Sequence, residues 1–166
     1  MVEAVLFSSA PPVSLHKLKK ITGLSFSNLV TVIESLNKEY EEKGNAFMIR
    51  RVGNGFQMVT RPEYGKWVRE FDHKGRKNLL TKTMLETLAI VAYNQPVTKP
   101  EIDRLRGVDS GWVLQELLER GFIKIKGRDK RPGHPFLYIT TQRFLEYFGL
   151  SSLDELPKIE DKGKSE

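Results

Sequence analysis

The chain has 166 residues, a net charge of +6, 39% hydrophobic residues and 29% charged residues. This length suits one or two domains with a buried core, and no apolar run approaches the roughly 18 residues of a membrane span. The absence of cysteine excludes disulfides, thiolate catalysis and cysteine-based zinc sites. The opening apolar run is short and lacks basic flanks, so we expect no signal peptide and a cytoplasmic location.

An internal repeat organises the chain. PVSLHKLKKITGL begins at Pro12, and PVTKPEIDRLRGV begins 84 residues later at Pro96. Each copy predicts an apolar helix, a proline-containing turn, a short helix with a Ser or Thr N-cap and a glycine C-cap, and a third helix. In the second copy Glu101 completes a capping box. The predicted helices are Val2–Ser8, Ser14–Thr22 and Ser25–Lys43, then Thr81–Tyr93, Thr98–Arg106 and Asp109–Arg120.

After the third helix, each copy changes to short extended runs that predict a β-hairpin. FMIRRV and FQMVT flank the turn Gly53-Asn54-Gly55. IKIK and FLYIT flank a turn at Pro132-Gly133, where glycine allows a positive φ. An aromatic-rich helix then closes each copy; its helically spaced residues are Tyr64, Trp67, Val68 and Phe71 in the first copy and Phe144, Leu145 and Phe148 in the second.

Three helices followed by a hairpin form the winged-helix variant of the helix-turn-helix. The sequence therefore predicts a mostly α fold with small β-hairpins (α+β), built from two tandem winged-helix domains. We expect domains at residues 1–72 and 81–150, a linker at residues 73–80 that includes Lys74, Arg76 and Lys77, and a polar, disordered tail at residues 151–166.

No residue pattern points to catalysis. His16, His73 and His134 do not have the spacing of a metal site, so we expect each to be a surface histidine. Gly53-Asn54-Gly55 lacks the Lys-Ser/Thr of a phosphate-binding loop and is read as a turn. We therefore expect no catalytic residue, no metal and no cofactor.

The third helix of a helix-turn-helix normally reads DNA. Asp109–Arg120 carries three acidic residues and one basic residue, and Ser25–Lys43 carries four acidic and two basic. This charge disfavours major-groove readout in both domains. In Asp109–Arg120 we expect most of the apolar residues to be in the core and Ser110 to be outside it. Those apolar residues are Trp112, Val113, Leu114, Leu117 and Leu118.

The second hairpin carries a cluster of five basic residues, Lys124, Lys126, Arg128, Lys130 and Arg131. The cluster is read as a solvated or partner-facing turn, and binding to phosphates stays open. A DNA-binding transcriptional regulator is therefore the alternative function. Protein-binding surfaces are rich in aromatic residues and arginine. Six aromatics of the second copy are candidates for such a surface, but we expect most of them to be core. These six are Tyr93, Trp112, Phe136, Tyr138, Tyr147 and Phe148.

Three long segments resemble segregation and condensation protein B: Thr87–Ser110, Leu117–Arg128 and Pro132–Pro157. The resemblance covers nearly the whole second domain, and the first domain is similar through its AVLFSSAPPVS opening and its hairpin. It implies an accessory subunit of the bacterial condensin-like SMC complex that acts in chromosome condensation and segregation. Such subunits are homodimers that pair through the first domain and bind the kleisin, segregation and condensation protein A, through the second. The ATPase belongs to the SMC subunit.

The leading hypothesis is therefore a non-catalytic adaptor associated with the nucleoid. We expect the kleisin surface at the third helix and hairpin of the second domain, near Arg106, Trp112, Arg128, Arg131 and Tyr138. Arg106 and Arg128 could make bidentate bonds to carboxylates. No membrane or small-molecule substrate is expected, and DNA contact is at most secondary.

Overall fold

The computed structural model describes residues 1–72 and 80–158. The first repeat is residues 1–72 and the second repeat is residues 80–158. Most of the predicted linker, with His73, Lys74, Arg76 and Lys77, lies outside the described residues, as does the tail beyond Lys158. The fold is mixed, with α-helices and small antiparallel sheets.

Both repeats have the same element order, as the sequence repeat predicts. The first repeat contains α1 (Val2–Phe7), β1 (Val13–Ser14), α2 (Leu15–Thr22), α3 (Phe26–Glu42), β2 (Phe47–Val52), β3 (Gly55–Thr60) and α4 (Gly65–Asp72). The second contains α5 (Lys82–Asn94), β4 (Val97–Thr98), α6 (Lys99–Arg106), α7 (Gly111–Glu119), β5 (Ile123–Arg128), β6 (Phe136–Thr140) and α8 (Gln142–Phe148). Short 3-10 turns cover Pro62–Tyr64 and Leu153–Glu155.

The predicted helix caps are confirmed. The Ser14 hydroxyl accepts a hydrogen bond from the Lys17 backbone N–H at 3.3 Å, and the Thr98–Glu101 capping box caps α6. Gly23 and Gly107 end α2 and α6 in the left-handed conformation, with φ of 72° and 73°. Because the caps match at one offset, both repeats place their second and third helices through the same local geometry.

Each hairpin has a third strand that the sequence analysis did not predict. β1 pairs antiparallel with β3, and β4 pairs with β6, so the strand orders are β1-β3-β2 and β4-β6-β5. Both additional strands are two residues long, too short for alternation to be visible. Val13 and Val97 are buried, so the strands also attach the helix N-caps to the cores.

The repeats have separate hydrophobic cores. The first core is formed by Val2, Leu6, Val13, Leu18, Leu29, Ile33, Tyr40 and Ile49. The second is formed by Leu80, Met84, Leu88, Val91, Ala92, Val97, Ile102, Val113, Leu114, Leu117, Phe122, Ile123, Tyr138 and Phe144. Two polar contacts join the repeats: the Gly53 N–H donates to the Leu150 carbonyl at 2.7 Å, and Arg50 lies 3.5 Å from Glu155.

The third helix of the second repeat differs from its prediction. α7 begins at Gly111 after Ser110, not at Asp109, and it has 9 residues against 17 in α3. The prediction that Ser110 lies outside the core is wrong, because its side chain is fully buried. Its N–H and hydroxyl both donate to Asp103 Oδ1, which satisfies the buried polar groups.

Candidate partner-binding surface

A polar network fixes the turn between α6 and α7. The Lys99 ammonium lies 2.6 Å from Asp103 Oδ2 and also bonds Asp109. Asp109 accepts a hydrogen bond from the Gly111 N–H at 2.9 Å, and its carbonyl accepts one from Arg106 at 3.3 Å. The turn is therefore held by side chains of α6 and of the turn itself, so side chains on it project from a rigid element.

Charge distribution in this network favours the ionised carboxylates. Burial opposes ionisation of Asp103, but the bonds from Lys99 and Ser110 outweigh it and hold its pKa below the ordinary value. The Lys99 bond and the Gly111 N–H lower the pKa of Asp109. Bonds to Asp103 and then Asp109 raise the pKa of Lys99. The network is thus fully charged at neutral pH.

Apolar side chains are exposed around the turn between α6 and α7, which is taken as residues 105–112 and called the α6–α7 turn. Trp112, in the first turn of α7, is 64% exposed, and Leu105 and Val108 are more than half exposed. Val113, Leu114 and Leu117 are buried as predicted and Leu118 is half-buried, so Trp112 departs from its expected place in the core. An exposed tryptophan together with exposed aliphatic residues around one turn is typical of a protein-binding surface.

The expectation that most of the six candidate aromatics of the second repeat are core is wrong. Tyr138 alone of the six is buried, at 7% exposed. In a core this small, one face of a large ring packs while the other faces solvent. The five exposed aromatics are Tyr93, Trp112, Phe136, Tyr147 and Phe148.

Three of the five predicted partner-binding residues lie on the β5–β6 hairpin. Arg131 lies 3.0 Å from Glu101 Oε1 and also bonds Asp129, and Arg128 stacks 4.1 Å from the Phe136 ring centre while donating to the His134 carbonyl at 3.0 Å. Tyr138 is a core residue of β6, and burial raises its pKa. The remaining two, Arg106 and Trp112, lie on the α6–α7 turn.

The Arg131–Glu101 contact joins the hairpin to the start of α6. The Arg131 bond, followed by bonds from the Thr98 N–H and hydroxyl, lowers the pKa of Glu101 to about 2. The two Thr98 bonds, to Glu101 Oε2, measure 2.8 and 2.7 Å. One carboxylate therefore completes the capping box and ties the hairpin tip to it.

An apolar groove of about 350 Å³ lies on another face of the second repeat, between α5, α8 and the segment after α8. The Tyr93 hydroxyl donates to the Pro157 carbonyl at 2.7 Å and so holds that segment in place. The lining residues are Leu85, Ala89, Ala92, Tyr93, Phe144, Phe148, Leu150, Leu156 and Pro157.

The first repeat exposes its own apolar face. On α1 and α4, Phe7 and Trp67 are largely exposed and Phe71 is 91% exposed. The helical spacing of Trp67 and Phe71 predicted an aromatic-rich helix, but this pattern could not show that the rings point away from the core. Exposed rings of this size are typical of an interface between chains.

The histidines lie at the surface where the structure describes them. His16 and His134 are exposed, and His73 lies outside the described residues. Residues 1–72 and 80–158 contain no cluster of three or more His, Asp or Glu residues able to hold a metal ion. Over the same ranges, no helix has the length and apolarity needed to cross a membrane.

Comparison with known proteins identifies the family. The model for "Segregation and condensation complex subunit ScpB" matches residues 1–159, which include both repeats. The chain belongs to the segregation and condensation protein B family. The predicted resemblance is thereby confirmed, and it extends over the first repeat as well as the second.

Individual members of the segregation and condensation protein B family are similar over nearly the whole chain. The protein of Syntrophotalea carbinolica is 41% identical over 97% of this chain and 81% of its own length. That of Symbiobacterium thermophilum is 42% identical over 96% of this chain and 73% of its own length. Among solved structures, a dimer of a ScpB N-terminal domain complexed with a ScpA peptide is 23% identical, with a TM-score of 0.38, and covers 42% of this chain and 80% of that chain.

Sequence reasoning named Arg106 and Trp112 as candidates but did not name the exposed Leu105 and Val108. At the 84-residue offset Leu105 and Val108 correspond to Ile21 and Leu24, and this pattern shows only that the positions are apolar, not that they are exposed. The available signal was the glycine between them: Gly107 turns the chain at the end of α6, so its apolar neighbours need not share one face.

Proposed function

We propose that this chain is a non-catalytic adaptor subunit of a condensin-like SMC complex. In this proposal the chain is organised as two tandem winged-helix domains, at residues 1–72 and 81–150. It acts in chromosome condensation and segregation during cell division, in the cytoplasm at the nucleoid. Membership of the segregation and condensation protein B family supports this proposal, as does the repeated order of three helices and a hairpin.

In this proposal the second domain binds the kleisin, segregation and condensation protein A, through the α6–α7 turn. The observation that carries it is the 64% exposed Trp112 on a turn held by ion pairs. Rigid exposed aromatics with an adjacent arginine give tight protein contacts at low entropic cost. Arg106 donates to the Asp109 carbonyl on the same turn, while Arg128, Arg131 and the buried Tyr138 shape the neighbouring hairpin.

The first domain pairs two copies of the chain. Its exposed Phe7, Trp67 and Phe71 supply the apolar surface that a stable dimer buries. Each dimer then presents two kleisin surfaces, so it can link or regulate SMC complexes without an ATPase of its own. No cofactor or small-molecule substrate takes part.

Charge on α7 disfavours the alternative of a transcriptional regulator that reads DNA. Glu116 lies 2.9 Å from Arg120, and Glu119 is exposed and bonded to Gln115. No lysine or arginine lies within α7 itself. A helix with this surface repels the phosphates that border the major groove.

Light scattering with and without the purified kleisin tests the adaptor function. The wild-type chain is expected to have the mass of a dimer and to form a heavier complex at micromolar concentrations. The absence of any complex would rule out the adaptor, and tight binding to one DNA sequence at physiological salt would favour the regulator.

Two matched tryptophan variants test whether kleisin binding and dimerisation belong to different domains. Trp112→Ala is expected to remain a dimer and to bind the kleisin at least about 10-fold more weakly, as for a hot-spot residue. Trp67→Ala is expected to shift the chain toward monomer while each chain still binds the kleisin. Wild-type affinity of Trp112→Ala would exclude the α6–α7 turn as the binding surface.

A further inference from the structure

We propose that the β5–β6 hairpin contacts the phosphate backbone of duplex DNA through Lys124, Lys126 and Lys130, without reading base sequence. This surface is separate from the proposed kleisin surface around Trp112. The proposal does not depend on the adaptor function, because it rests on the hairpin alone.

The structure divides the five cations of the hairpin into two groups. Both arginines have partners within the repeat: Arg131 bonds Glu101 and Asp129, and Arg128 bonds the His134 carbonyl and stacks on Phe136. The side chains of the three lysines are exposed, and none of their ammonium groups has an ion pair or hydrogen bond to another described residue. They are therefore the group available to an external anion.

The lysines follow one edge of the sheet to its tip. β5 is an edge strand, since the order is β4-β6-β5. Lys124 is opposite Ile139, Lys126 occupies the irregularity between Ile125 and Gly127, and Lys130 lies in the loop between the strands. At about 3.4 Å per residue, Lys124 and Lys126 are spaced by roughly 7 Å, so the row presents several separate charges to an extended anion.

Nucleic acid fits this row better than an acidic protein segment does. Carboxylates are recognised best by the planar fork of arginine, whereas lysine acts as a compact point charge that suits phosphate. On this hairpin the arginines are occupied and the exposed unpaired cations are all lysine. The net charge of +6 adds long-range attraction to a polyanion.

Contact is limited to the backbone because α7 cannot follow the hairpin into the major groove. Asp109, Glu116 and Glu119 lie on or beside that helix, and no basic residue lies within it. Without base contacts, binding is independent of sequence and falls steeply with salt.

The test is fluorescence anisotropy of two labelled 20-base-pair duplexes of unrelated sequence, measured over a range of salt concentrations. We expect equal affinity for both duplexes. Changing Lys124, Lys126 and Lys130 each to Gln removes three phosphate contacts per chain. At ~0.9 per phosphate, the slope of log affinity against log salt should become shallower by about 3 per chain.

A control variant removes the same charge from lysines that already have carboxylate partners. Lys38, Lys43 and Lys82 pair with glutamates four residues away in sequence. Changing these three to Gln should leave the slope within about 1 of wild type, since their charge is already compensated.

Several outcomes would overturn the proposal. Equal slope changes in both triple variants would mean that only net charge matters. An unchanged slope in the hairpin variant would mean that the lysines serve only to protect a sheet edge from pairing. Tenfold preference for one duplex, or displacement by poly-glutamate but not by unlabelled DNA, would also refute it. Kleisin binding by the hairpin variant is expected to be unchanged, so failure here is distinguishable from failure of the adaptor proposal.

Discussion

Glu101 provides the sharpest test of how the second repeat is held together. Its carboxylate accepts bonds from the N–H and hydroxyl of Thr98 and lies 3.0 Å from Arg131. Glu101→Gln removes the charge but keeps an oxygen that can complete the capping box. The variant therefore isolates the charged contact between the hairpin and α6.

The expected loss follows from the pKa. A pKa of about 2, against an ordinary value of 4.5, sets an upper bound of about 3 kcal/mol on the contribution of the charge at pH 7. The side chains of Glu101 and Arg131 are 29% and 55% exposed, so solvent screening reduces the expected loss to about 1–2 kcal/mol.

The loss should depend on pH with a definite sign. Because the folded state lowers the pKa of Glu101, its stabilisation is complete above the ordinary pKa and disappears as pH falls from about 4.5 toward 2. The difference in unfolding free energy between wild type and Glu101→Gln should therefore shrink by about a third to a half between pH 7 and pH 3.5.

Urea unfolding followed by circular dichroism at both pH values measures this difference. Exchange of the Phe122 amide, which donates to the Leu117 carbonyl, assigns the loss to the second repeat. Glu86→Gln is the matched control, because its contact with Lys82 is 3.9 Å long and mostly exposed; it should lose less than about 0.5 kcal/mol. An equal loss in both variants, or a Glu101→Gln effect that is the same at both pH values, would refute the reasoning.

Three further substitutions test the repeated framework. Gly107→Ala should lower the free energy of unfolding by about 1 kcal/mol because the φ of Gly107 is 73°. Gly127→Ala is the control: Gly127 has no positive φ and no atom within 4 Å of an added methyl group, so the free energy of unfolding should change by less than about 0.5 kcal/mol. Urea denaturation compares the two variants, and equal effects would contradict the cap assignment. Leu117→Ala should cost about 2–5 kcal/mol because the side chain is fully buried, which thermal unfolding would show, and a loss under 1 would contradict its core position. Ser14→Ala should cost about 1 kcal/mol by urea denaturation, since it removes the acceptor for the Lys17 N–H; no loss would mean that this cap is dispensable.

Local chemistry explains why much of the fold could be predicted. A hydroxyl before a helix and a glycine after it satisfy specific backbone groups, so Ser14, Gly23 and Gly107 define helix ends without reference to the rest of the chain. The turn at Gly133 depended in the same way on a positive φ, here 85°. The repeated pattern then strengthened each assignment, since two copies agreed.

The candidate site depended on information that periodicity does not contain. A nine-residue helix has too few turns for its pattern to separate a buried face from an exposed one, so Trp112 was grouped with Val113 and Leu114. Ser110 could not be recognised as buried, because its partner Asp103 lies seven residues earlier on another helix. The third strands, at Val13 and Val97, pair with residues about 40 positions away. Each of these depends on tertiary contacts.

The five cations of the hairpin divide into two groups with different surroundings. In the sequence its five cations form a single patch, but Arg131 is bound to Glu101 and Asp129 while the three lysines remain open to solvent. Because Glu101 belongs to the capping box of α6, the arginine also fixes the hairpin relative to the turn that presents Trp112. The proposed kleisin surface and the proposed DNA-contacting lysines therefore belong to one rigid body. The lysine row would therefore keep a constant position and orientation relative to a kleisin bound at Trp112. In this way the Arg131–Glu101 ion pair, which positions the hairpin, would also set the orientation in which DNA binds.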